Sequence, residues 1–416
     1  MTNRLGTALA VSVAVGVAAG LSPFHEALSS FHAPIHHPHG RAFGIIRPQP
    51  PVSVIGPQGF RPETLKMVSG TIGWAWSLHH LWWTQDGGRQ WVNVTPSGLP
   101  KSGLYGVFSV GGLVVGGLSG NRAWVGAEDE GSASDPGPNY PIWYTNTHGR
   151  TWHRVPVPDS HVMGRIIFLT PRVGWLSAEM AGAAGSETMV IEATHNGGRT
   201  WYTLPSSITP AMVESGRLPP VRAHAIPFFG DKAMTWSTPA TGWITGTQGG
   251  KPLLLRSNDG GRRWFPRPIS HRAGQHLSFI SSPEFFGGHD GVMAVTVTTS
   301  GAQAVYRTRD GGRKWIEGST LPASIQQVDF GSYRDGLALG TTSNAHGVIT
   351  TAVLYRTPDS GRRWFRLNPS GLPLRQNVSL DMISGQVGFA LTSDPAAPLW
   401  KTTTGGTSWE PVPVLR

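Results

Sequence analysis

Apolar positions in this chain come in short runs. From residue 65 it reads LKMVS (65–69), WAWSL (74–78), HLWWT (80–84) and QWVNV (90–94), with the runs broken by Gly, Asn and Asp. Short runs rich in Val, Trp and Leu, closed by turn residues, are strand and hairpin signals. Nothing of comparable length shows the spacing of an amphipathic helix. The pattern predicts a unit of four strands, A to D, with tight turns joining A to B and C to D.

The C–D turn carries a phrase that recurs. TQDGGRQW (84–91), TNTHGRTW (145–152), THNGGRTW (194–201), SNDGGRRW (257–264), TRDGGRKW (308–315), TPDSGRRW (357–364) and TTTGGTSW (402–409) share one plan. A Ser or Thr opens it, a hydrogen-bond acceptor follows two residues on, then comes glycine, and tryptophan closes it. Successive tryptophans lie 45 to 63 residues apart, a period that marks propellers and related arrays. A second landmark precedes each box: a glycine followed by a bulky residue, as in Gly73-Trp74, Gly174-Trp175, Gly242-Trp243, Gly291-Val292, Gly336-Leu337 and Gly388-Phe389, with Ala123-Trp124 as the variant. Seven units with two landmarks in fixed order predict an all-β, seven-bladed β-propeller, four antiparallel strands per blade, the boxes at the C–D turns.

The boxes read as fasteners. Asp86, Asn196, Asp259, Asp310 and Asp359 can each accept backbone N–H bonds and hold a bend, while Thr147 and Thr404 can accept but cannot act as carboxylates. Trp91, Trp152, Trp201, Trp264, Trp315, Trp364 and Trp409 open strand D with a ring to bury. Acids spread around a ring do not converge on one substrate, so no catalytic residue is assigned to them. These residues resemble the Asp-box, or BNR, repeat of several propeller families. That resemblance implies the fold and, serving many unrelated activities, no single function.

Composition adds compartment and charge. MTNR followed by LGTALAVSVAVGVAAGL reads as a basic n-region and an apolar h-region. Residues 1–22 are thus expected to be a signal peptide or N-terminal anchor, 23–60 a His/Pro-rich linker, and 61–416 the propeller. His32, His36, His37 and His39 read as part of a solvated tether, with no metal site assigned. There is no cysteine, which excludes disulfides and thiolate metal sites. An exported chain without disulfides is expected at a bacterial cell surface or in the medium, with membrane attachment through an uncleaved N-terminus as the alternative.

Formal net charge is +10, and the bases cluster. Arg256, Arg263 and Arg267, then Arg307, Arg309 and Lys314, then Arg356, Arg363 and Arg366 flank the boxes of blades four, five and six. An arginine after the second glycine belongs to the repeat. The further bases are not required by a turn, and together they form a candidate patch for an anionic partner. No nucleic-acid module is visible. Long insertions fall in the B–C and D–A connections at the other end of the ring. They offer Glu128, Asp129, Glu130, Tyr140, Arg217, Arg222, His224, Phe228 and Phe229 as candidate contacts.

Two functions compete. Sialidases use this repeat, and that resemblance implies an arginine cluster, a tyrosine nucleophile and a separate acid. Its Phe-Arg-Ile-Pro signature has only the defective echo Phe60-Arg61-Pro62, and seven boxed blades exceed the sialidase six. Over all seven units the chain more closely resembles the photosystem II stability/assembly factor family: exported or lumenal seven-bladed propellers with the DGG-x-x-W box and an arginine-rich patch. That resemblance implies a non-enzymatic role, binding another protein during assembly. With the leader and the basic patch, the chain is expected to be an exported binding or assembly scaffold without cofactor, recognising a protein or anionic envelope partner. A glycoside hydrolase is the alternative.

Overall fold

A computed structural model describes residues 60–415 except 78, 100–112, 128–140, 158–161, 180–188, 210–211, 213–214, 217–223, 272–275, 298–301, 322–323, 344–348 and 375–377. The expected leader and linker lie outside the described residues. Every regular strand falls into one of seven antiparallel sheets in chain order, each formed by one contiguous segment. Six have four strands. In blade five the A strand is split into Leu277–Ile280 and Glu284–Phe286, both pairing with the B strand Asp290–Val297. Pro283 lies in the gap, where it has no amide to add to the ladder.

The A strands line the axis. That of blade two (Leu113–Gly116) meets that of blade three (Val162–Phe168), three meets four (Gly230–Trp236), and six (Ser324–Phe330) meets seven (Ser379–Met382). Blade seven in turn meets blade one (Thr64–Met67), which closes the ring. Apolar clusters lie between blades. Trp74, Leu81 and Trp83 of blade one pack with Ala123, Val125 and Trp143 of blade two, and Met67, Trp82 and Trp91 pack with Phe389, Leu391 and Leu399 of blade seven.

Both landmarks have steric causes. The landmark glycine on strand B is covered by a large side chain from strand A: a Cβ on Gly73 would sit 2.1 Å from Met67 Sδ, and one on Gly336 2.7 Å from the Phe330 ring. Blade two inverts the pair, since Gly117 follows its A strand and Ala123 takes the landmark place. In the box, the opening hydroxyl and the acceptor two residues on form one hydrogen-bonded unit. Thr308 Oγ1 donates to Asp310 Oδ1 at 2.8 Å and accepts from Gly312 N at 2.9 Å, and Asp310 Oδ1 also accepts from Lys314 N at 3.0 Å. The copies lacking an acid compensate: Thr147 pairs with the Thr151 hydroxyl at 2.7 Å, and Thr404 with that of Ser408 at 2.9 Å.

Candidate partner-binding surface

The A–B and C–D turns share one end of the ring. Gly260 N, Gly311 N and Ser360 N each donate at 2.9 Å to an A–B turn carbonyl of the same blade, those of Ala240, His289 and Arg334. The bases of blades four to six therefore gather along one stretch of rim, as their position beside the boxes implies.

Strand register orders them. Arg256, Arg307 and Arg356 occupy the same C-strand position and face Phe265, Ile316 and Phe365 on the outermost strand. Ile316 is 46% exposed and Phe365 49%, among the few large apolar side chains left open. Tyr202 takes the same place in blade three and is 41% exposed. An arc of alternating cation and apolar group results, where charge alone was expected. Its signal is the residue directly after each box tryptophan, which is apolar in blade one (Val92) and large and apolar or aromatic in blades three to six, but His153 and Glu410 in blades two and seven.

The patch differs from expectation in two respects. Arg263 and Arg363 are not surplus to the turn: their Nε groups bond the acids of their own boxes, to Asp259 Oδ2 at 2.7 Å and Asp359 Oδ2 at 2.8 Å. Partial burial works to raise both carboxyls, but the bonds from Arg263 and Arg363, with those from Ser257 and Thr357, outweigh it and hold both below the usual carboxylate range. Arg256, expected on the surface, is 8% exposed, its guanidinium carbon 5.2 Å from the centre of the Trp243 ring. Burial pushes its pKa down, as do the nearby charges of Arg267 and Arg313. Arg267, Arg309, Lys314 and Arg366 are exposed, and Arg309 lies 5.5 Å from the Tyr333 ring.

Of the insertion residues, Glu128, Asp129, Glu130, Tyr140, Arg217 and Arg222 lie outside the described residues. Phe229, expected as a surface contact, is 0% exposed and packs with Ile226 and Trp264 in the core between blades three and four. His224 is not at the far end: its carbonyl accepts from Trp264 N at 2.9 Å and its ring lies 4.3 Å from Phe265, beside the blade-four rim. Phe228 is half-buried, and its carbonyl accepts from Gln248 Nε2 at 3.0 Å. The two described ends of the insertion lie against blade four: Ser206 Oγ donates to Gly261 O, and Ile226 packs in the cluster that holds Trp264.

A second cluster was not singled out from sequence. Lys66, Glu284, Asp329 and Asp381 hold one register position, beside the landmark turn, on the A strands of blades one, five, six and seven. Asp329 Oδ2 accepts from Met382 N and Asp381 Oδ2 from Met67 N, so each acid holds the next blade. Lys66 Nζ meets Asp381 Oδ1 at 2.6 Å across the ring closure. Enclosure among the inner strands and the neighbouring charge of Asp329 raise Glu284 to about 8. Enclosure raises Asp329 to about 7; Lys66 opposes that rise and Asp381 adds to it. For Lys66 the attraction of Asp381 and Asp329 outweighs desolvation and lifts its pKa. A charged residue seven places before the landmark glycine, followed directly by Met or Phe, is the signal that was available. Among the described residues, no group of three His, Asp or Glu side chains is placed to hold a metal ion.

No family model matches the chain. It is 26% identical over 255 residues to the chloroplastic photosystem II stability/assembly factor HCF136 of Oryza sativa subsp. japonica, a match covering 60% of this chain and 47% of that protein. The chain therefore aligns with about half the length of this relative. Among solved structures, the GH74 xyloglucanase from Xanthomonas campestris aligns with a TM-score of 0.53 at 16% identity, covering 86% of this chain and 55% of that one. YCF48 bound to D1 peptide aligns with a TM-score of 0.49 at 14% identity, covering 87% and 97%.

Proposed function

We propose that this chain is a non-enzymatic scaffold that binds another protein through the rim of blades four to six, and that it works outside the cytoplasm. The observation that carries the reading is the arc itself. Blades five and six each set a part-exposed C-strand arginine, Arg307 and Arg356, beside an exposed apolar outer-strand residue, Ile316 and Phe365, while in blade four the matching Arg256 is buried against Trp243. Arginine and exposed aromatic groups are what protein interfaces concentrate, and the net positive field selects an acidic partner. The sequence similarity to an assembly factor supports the same reading. Asp329 and Asp381 are committed to backbone amides of neighbouring blades, which favours a scaffold over a glycosidase.

The test is capture from the native cell envelope by cross-linking, comparing the protein with an Arg262→Glu/Arg313→Glu/Arg362→Glu variant. These three side chains are exposed and form no salt bridge among the described residues. The Arg313 side chain acts on Asp310 through charge alone, and Asp310 keeps its bonds from Thr308 Oγ1 and Lys314 N when that charge is reversed. The reading expects an acidic partner captured by the protein, released as salt rises and lost with the variant. An identical set of captured proteins from both would overturn it.

A further inference from the structure

The base at the last C-strand position before the box occurs in four consecutive blades, as Arg256, Arg307, Arg356 and Lys401. Three of the four have a partner. Arg307 Nη1 donates to Glu317 O at 3.4 Å, Arg356 lies 3.8 Å from Asp335 Oδ1, and Lys401 Nζ donates to Gly70 O at 3.4 Å. Arg256 is the exception. It is more than nine-tenths buried, and its Nε is enclosed without a hydrogen-bond partner.

The cause is legible in the register. Asp335 closes the A–B turn of blade six next to Gly336, and the matching position in blade four, next to Gly242, is Thr241. The carboxylate that neutralises Arg356 is missing for Arg256. What surrounds Arg256 is more positive charge: Arg267 on the same blade and Arg313 on the box of blade five. Asp310 is the nearby acid, but its Oδ1 already accepts from Thr308 and Lys314 N. The Trp243 face stabilises the cation without satisfying its donors. Arginine stays protonated in such a place, and Asp310 offsets only part of the positive charge around it, so the seam holds a buried cation with an unmet Nε–H donor whose natural complement is a planar oxyanion.

We propose that the seam between blades four and five is an oxyanion pocket in which Arg256, flanked by Arg267 and Arg313, takes one carboxylate. That the carboxylate belongs to a protein rests on the scaffold reading above; the pocket itself does not. It is a specific anchor within the diffuse positive rim.

The test uses the full-length protein with 15N-labelled arginine, titrated with acetate and, separately, inorganic phosphate at constant ionic strength. The Arg256 Nε–H signal is identified by its loss in Arg256→Lys. The expected result is a saturable acetate shift at that signal, weakened about tenfold in either Arg267→Gln or Arg313→Gln, whose side chains are exposed. Thr241→Asp, which supplies the acid present in blade six, is expected to abolish the shift while the protein stays folded. Arginine signals that all drift together without saturation would overturn the pocket, and saturation by phosphate alone would overturn the carboxylate. A saturable acetate shift without partner capture at the rim would sink the scaffold and leave the pocket standing. Partner capture without the shift would do the reverse.

Discussion

The two glycines of TRDGGRKW separate two physical causes within one turn. Both have positive φ, 67° at Gly311 and 74° at Gly312. Alanine at either position pays the left-handed strain of an L-residue, about 1–2 kcal/mol. Their surroundings differ. A Cβ on Gly311 would meet Gly288 O at 3.3 Å, a contact that a small shift relieves, and His289 Nδ1 at an ordinary 3.7 Å. A Cβ on Gly312 would lie 2.3 Å from Trp243 Cζ2 and 2.5 Å from Cη2, inside the fully buried indole of the preceding blade. Forcing a methyl into a packed core adds about 1–3 kcal/mol. In a chain of this size each kcal/mol moves the unfolding midpoint by about 2 °C. Gly312→Ala is therefore expected to lower Tm by about 2–6 °C more than Gly311→Ala, read by differential scanning calorimetry of the two variants side by side. Equal losses would refute the claim that the second glycine is there to let neighbouring blades approach.

Stability should also fall with rising pH through the inner-strand acids. Glu284 at about 8 and Asp329 at about 7 sit above their unfolded values of about 4.3 and about 3.9. The folded state therefore binds more protons, so their contribution is whole below pH 4 and is lost as pH rises through 7 to 8. Glu284→Gln with Asp329→Asn should flatten the fall of Tm between pH 6 and pH 8.5, and an unchanged slope would locate its cause elsewhere. Within the blade-four box, Arg263→Ala removes an exposed ion pair and should cost at most about 1 kcal/mol. Asp259→Ala also removes the acceptor for Ser257 Oγ and Arg263 N and should cost about 2 kcal/mol in chemical denaturation.

The propeller was legible because its two landmarks are steric and local. A glycine under Met67 or Phe330, and a hydroxyl–acceptor–glycine turn, leave the same residue types wherever they occur. Even the boxes without an acid kept their logic, since Thr147 and Thr404 each have a hydroxyl partner four residues on. What stayed hidden depends on pairing between strands. Counting bases could not show that Arg263 and Arg363 are spent on Asp259 and Asp359, that Arg256 is buried over Trp243, or that Ile316 and Phe365 stand beside the remaining cations. The inner cluster escaped for the same reason: Lys66 and Asp381 are 315 residues apart in the chain and meet only when the ring closes.

The central claim is that partners bind at the rim of blades four to six, and a photo-reactive residue tests it by position. Ile316 on blade five and Glu410 on blade seven each directly follow the box tryptophan, yet only Ile316 stands in the arc. With the photo-reactive group at 316 the account predicts a cross-link to an acidic envelope protein, and with the group at 410 it predicts none. Cross-linking from 410 as strong as from 316, or from 410 alone, would contradict it.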